Sequence, residues 1–101
     1  MSTYVLMTRV APETLHDARV RRAMGKTWLD KVKQACPDVK WIAHYALLGR
    51  YDFMDIYEAE DIETAHRVSL ISRAEGAVIA ESWPALAYEK YLGLLEQVQP
   101  K

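Results

Sequence analysis

A single cysteine, Cys36, leaves this chain without an intramolecular disulfide and suits a reducing compartment. Glycine is also scarce. Four glycines lie scattered through 101 residues, so no glycine-rich loop is present to cradle a phosphate. The formal charge of −1 lacks the basic excess that a nucleic-acid backbone demands. No apolar run approaches the ~20 residues of a membrane helix. The opening residues, Met1 to Met7, carry no basic segment ahead of their apolar run, so no signal peptide is expected. The three histidines, His16, His44 and His66, form no i, i+4 pair and match no zinc spacing, so neither a metal nor a cofactor site is expected. These absences leave a soluble cytoplasmic protein, with neither nucleic acid nor membrane as a partner.

What is present is ample apolar material. Half of the residues are hydrophobic, enough for one folded domain over residues 1–101. Tyr4 to Arg9 is short, β-branched and apolar and reads as a first strand. Pro12 suits a first helical turn, and Glu13 complements the positive helix end. A long helix is expected from about Glu13 to Ala35, weakened at Gly25, crowded by Arg19, Arg21, Arg22 and Lys26, and ended by Pro37. Two apolar, aromatic runs follow, joined by the turn chemistry of Gly49-Arg50-Tyr51-Asp52, and they read as a β-hairpin from about Val39 to Ala59. Asp61 has the chemistry of an N-cap and Gly76 that of a C-cap, so a second helix lies between them. Ala77 to Trp83 reads as a fourth strand. A terminal helix, Leu86 to Val98, carries a stripe of Tyr88, Tyr91, Leu92, Leu95 and Val98.

The order is the ferredoxin-like βαββαβ motif, of class α+β, with an added C-terminal helix. Right-handed crossovers put the two main helices on one sheet face. Alternation along the hairpin places Ile42, His44, Ala46 and Leu48 with Phe53, Asp55 and Tyr57. It places Trp41, Ala43, Tyr45 and Leu47 on the opposite face with Met54 and Ile56. Both faces are apolar, so both need cover. A second copy of the sheet supplies it most fully, which predicts a homodimer or an assembly of dimers. The terminal stripe is expected to dock on its own subunit or across that dimer.

The run Leu48-Gly49-Arg50-Tyr51-Asp52, followed by a strand ending Glu58-Ala59 and then by Asp61, resembles the GYD-domain family. Tyr4 to Arg9 and the Pro12-Glu13 pair are similar to that family's first strand and helix start, and Gly76 to Leu86 is compatible with its last strand. The chain departs from the pattern at Ala11, where the family tends to have a threonine cap, and at Glu60, where it tends to have proline. Cys36-Pro37-Asp38 replaces a Gly-rich link. The resemblance implies a dimeric α+β barrel of the ferredoxin-like kind. It brings no general activity and no catalytic residues.

Candidate chemistry centres on His44, Asp55 and Tyr57, on one face of the hairpin. A histidine oriented by a carboxylate is a general base, and a nearby phenol donates a proton or holds an oxyanion. The same residues also suit a polar cluster satisfied at a dimer interface, and that reading is preferred here. Cys36 at a helix end suits a buried structural role. Tyr51 and Asp52 suit locking of the hairpin, Asp52 by accepting turn N–H bonds. The strand order is also that of the RNA-recognition domain, but Asp52 and Asp55 among the aromatics oppose base stacking. Two functions follow. One is a homodimer that binds an apolar or aromatic small molecule, with cofactor-independent catalysis as an extension by fold analogy. The other is a non-catalytic assembly or regulatory subunit. A cavity of ~300 Å³ or more that holds His44 or Tyr57 favours the first.

Overall fold

A computed structural model describes residues 1–100. The protein is α+β, with four strands in one antiparallel sheet. The strands are β1 (Ser2–Val10), β2 (Lys40–Ala46), β3 (Phe53–Ala59) and β4 (Ala77–Ala85), in the spatial order β2-β3-β1-β4. The helices are α1 (Ala18–Ala35), α2 (Ile62–Ala74) and α3 (Tyr88–Val98). This is the ferredoxin-like order expected from the sequence, with the two outer strands last to join each half.

The expected long first helix is two elements. Pro12 opens a 3-10 turn over Pro12–Leu15, and α1 starts afresh after Asp17. Asp17 has extended backbone angles, and its carboxylate accepts from the N–H groups of Arg19 and Val20, so it caps a new helix and interrupts the old one. Asp61 caps α2 as expected, accepting from Thr64 N at 2.8 Å, and these bonds lower its pKa. Gly76 follows the α2 C-cap with φ of +107°, and a Cβ there would stand 3.3 Å from the Met24 Cε. Both facts favour glycine.

The core lies between the sheet and the helices. Tyr4, Leu6, Tyr57, Ala59, Ala65, Val68 and Ala80 are buried in it with Cys36. Burial raises the Cys36 pKa, in keeping with a structural thiol. Four aromatic rings run through this layer. Tyr4 stacks on Tyr57 with centroids 5.4 Å apart, Tyr57 meets Trp41 at 5.2 Å, and Trp41 meets the edge of Trp28 at 5.3 Å. Trp28 ties α1 to α2, its indole N–H donating to Ser72 Oγ at 2.9 Å.

The position of Trp41 corrects the sequence expectation. A bulge between Trp41 and Ala43 sets Trp41 opposite Tyr57 on the helix side, although simple alternation put it on the other face. Beyond the bulge the faces are as expected, and the register sets His44 opposite Asp55 and Tyr45 opposite Met54.

The other sheet face carries Val5, Met7, Tyr45, Met54, Ile56 and Trp83, which the pairing register brings together. Of these, Tyr45 and Trp83 are exposed, Val5, Met54 and Ile56 are half-buried, and Met7 is buried. The docking expected of the terminal helix is not seen within the subunit. α3 makes no substantial contact with the sheet, α1 or α2 among the described residues, and Tyr88, Tyr91, Leu94, Leu95 and Val98 stay exposed. The molecule is correspondingly long, 57 × 30 × 18 Å.

Candidate functional site

α1 reaches the body through its second half, where Val32 is its one buried residue and Trp28 anchors on Ser72. Its first half stands clear of the sheet. The space beneath is a cleft of about 820 Å³, walled by α1, by the helix-side residues of β1, β2 and β3, and by the end of α2. Trp28, Leu29, Trp41, Ile42, Ala43 and Phe53 give it apolar walls. Arg21, Arg22 and Asp55 give it charge, and His44 adds an imidazole.

His44 and Asp55 are direct neighbours across β2 and β3, and His44 Nδ1 is hydrogen-bonded to Asp55 Oδ1. Asp55 is buried, whereas the His44 side chain is 61% exposed. Against a deprotonated carboxylate, which only accepts, Nδ1 is the donor, and in the neutral ring Nε2 is then the basic nitrogen. Burial raises the Asp55 pKa, and the nearby His44 opposes that shift. The His44 ring also stacks on Phe53 at 5.8 Å. The pair therefore has the geometry of a base oriented by a carboxylate, at the wall of a cleft.

Tyr57 is not part of this arrangement. It is fully buried, and burial pushes its pKa up to about 12. Its hydroxyl is 2.7 Å from Ser82 Oγ, which lies 2.8 Å from Ser69 Oγ. That chain leads away from the cleft, toward a second cavity of about 450 Å³ between α2 and β4 that both serines line. The structure thus brings His44 and Asp55 together and sets Tyr57 apart. His16 and His66 are exposed. No cluster of three His, Cys, Asp or Glu residues suited to a metal occurs among the described residues.

Arg21 is the residue that sequence reading passed over. It lies in the crowded basic stretch of α1, with its guanidinium carbon 5.2 Å from the Phe53 ring centre. Its Nη1 is buried without a hydrogen-bond partner among the described residues, and so is Trp41 Nε1. Both residues line the cleft. Two donors sealed without acceptors are unusual in a folded protein.

The Gly49-Arg50-Tyr51-Asp52 loop does its work at the far end of the hairpin. Asp52 does not cap its own turn. Its Oδ2 accepts from Val10 N at 2.8 Å, its own N–H donates to Thr8 O at 2.8 Å, and its carbonyl accepts from Leu47 N at 2.8 Å. One residue therefore ties the loop to β1. Tyr51 donates to Glu81 Oε1 at 3.0 Å, a bond that raises its pKa, and meets the edge of Trp83 at 5.8 Å. Trp83 Nε1 donates to the same oxygen at 2.9 Å. Gly49 has φ of +155°, and Arg50 is exposed.

A family model described as the GYD domain matches residues 4–95. The chain belongs to the GYD-domain family. This GYD domain is also 45% identical over 40 residues to the "Glutamine synthetase and cystathionine beta-lyase binding protein" of Thermus thermophilus, a match covering 40% of this chain and 42% of that relative. The matched part thus spans less than half of the curated relative. Among solved structures the GYD domain is similar to FFRP-DM1, at a TM-score of 0.57 and 18% identity, over 85% of this chain and all of that one. It is similar to hypothetical protein PHS023 from Pyrococcus horikoshii, at a TM-score of 0.53 and 19% identity, over 86% of this chain and 92% of that one. Both likenesses concern the fold. No helix of the GYD domain's described residues is long and apolar enough to cross a membrane.

Proposed function

We propose that this GYD domain is a small cytoplasmic binding protein that holds an apolar or aromatic small molecule in the cleft between α1 and the sheet. It works as a homodimer, or an assembly of dimers, joined through the open sheet face as an α+β barrel. The cleft carries the reading. At about 820 Å³ it falls in the range of small-molecule sites, and it joins apolar walls to a few polar groups, as such sites do. His44 Nε2 is the group available for proton transfer, so cofactor-independent catalysis is the chemistry that the pair would add. The uncovered face bearing Val5, Met54, Ile56 and Trp83 supports the dimer, since apolar patches of that kind mark interfaces. The single cysteine, buried and unpaired, supports the cytoplasmic location.

A second reading has its own support. The Thermus thermophilus relative is named for binding two enzymes, and α3 offers an apolar stripe that none of the described residues outside it covers. On that reading the protein is a non-catalytic regulatory subunit whose sheet and terminal helix serve assembly. His44→Ala separates the two. A thermal-shift screen against aromatic acids and ketones, run with a light-scattering mass, should show the variant dimeric but without the parent's ligand shifts. A parent that responds to no compound, or a variant that loses the dimer and keeps its ligands, contradicts the first reading.

A further inference from the structure

We propose that the occupant of the cleft is an aromatic carboxylate, with its carboxylate on the Arg21 guanidinium and its ring against Phe53 and the Trp28–Trp41 pair. This rests on the cleft being a ligand site and adds the class of ligand.

The charges around the cleft do not balance internally. Its two acids are already engaged, Asp55 by His44 and Glu75 by Lys31 at 2.7 Å. Of its three strong bases, Lys26 stands 3.6 Å from Asp30. Arg21 and Arg22 have no acidic partner among the described residues. The Arg21 Nη1 and Trp41 Nε1 donors, both on residues that line the cleft, are buried without a hydrogen-bond partner among the described residues. A surplus of positive charge beside apolar walls calls for a ligand that brings negative charge and acceptors. A carboxylate does both, and it matches a guanidinium through two parallel N–H···O bonds.

The rest of the ligand is set by the walls. The Arg21 guanidinium lies over the Phe53 ring, and Trp28 and Trp41, which also line the cleft, meet edge to face. Such surfaces favour a flat ring. A phosphate is a poorer occupant. The N–H groups at the start of α1 that would favour a dianion are taken by the Asp17 carboxylate, which adds negative charge of its own.

The test is calorimetric titration of the full chain with 2-naphthoate and 2-naphthamide, which share ring and size but differ in charge. The parent should bind the acid at least about tenfold more tightly than the amide, as expected for a charge-assisted bidentate pair. Arg21→Gln should abolish that preference by weakening the acid alone, and Arg21→Lys should restore part of it. Arg21 is partly exposed on a helix surface, and melting curves establish that each variant folds. Equal binding of acid and amide by the parent overturns the carboxylate assignment while leaving the cleft as a ligand site. A preference that survives in Arg21→Gln overturns the role of Arg21. Binding of neither compound overturns this assignment and counts against the underlying reading.

Discussion

Replacing Asp52 by alanine should destabilise the protein by about 2–3 kcal/mol, from one hydrogen bond to a charged acceptor and one buried donor left unpaired. The bond runs from Val10 N to Asp52 Oδ2 at 2.8 Å, and Val10 is buried, so water does not replace the lost acceptor freely. The two backbone bonds of Asp52, to Thr8 and Leu47, survive the change. Asp52→Asn keeps an acceptor oxygen and should cost under about 1 kcal/mol, because only the charge assistance is lost. Urea unfolding is the assay. With a slope of about 1–1.5 kcal/mol per molar for a chain of this size, the alanine variant's midpoint should fall by roughly 1.3–3 M. A midpoint within about 0.4 M of the parent would refute the argument that Asp52 holds the hairpin loop to β1.

Two further outcomes are expected. Burial raises the folded pKa of Asp55 above its ordinary 3.8, so the folded chain keeps that proton to higher pH than the unfolded chain does. The associated stability is full below the unfolded value and lost as pH rises through the folded one. The melting temperature of Asp55→Asn relative to the parent should therefore be more favourable at pH 7 than at pH 4, and a flat or falling difference contradicts the sign. A chain ending at Ala87 loses α3, whose Tyr88 and Val98 are 70% and 76% exposed. It should melt within a few degrees of the parent at high dilution yet show fewer subunits per particle by light scattering, and an unchanged subunit number would show that α3 takes no part in assembly.

Much of this fold was legible in local chemistry. Asp61 and Gly76 bracket α2 because a side-chain cap and a positive φ each demand a particular residue. That His44 and Asp55 share a face followed from period-two alternation around the Gly49–Asp52 loop, and the register then sets them directly opposite. The bulge at Trp41 was not legible. Trp41, Ile42 and Ala43 are all apolar, so a one-residue shift leaves the hydrophobic pattern unchanged. The break before α1 had a signal in Asp17, but the surrounding residues also suit a continuous helix. Arg21 was hidden for a tertiary reason. Nothing in the order of residues says that the first half of α1 stands off the sheet, and only that gap turns a surface arginine into the wall of a cleft. Tyr57 shares a strand face with Asp55, yet two residues along β3 carry it from the cleft wall to the centre of the core, where Ser82 takes its hydroxyl.

The occupancy of the cleft is tested most directly by the three indole N–H signals in a nitrogen-proton correlation spectrum. Trp28 and Trp41 line the cleft, and Trp83 lies on the opposite sheet face. Titration with 2-naphthoate should move the Trp28 and Trp41 signals along a saturable curve while the Trp83 signal stays in place. A Trp83 signal that moves alone, or three signals that stay fixed at millimolar ligand, would contradict a binding site between α1 and the sheet.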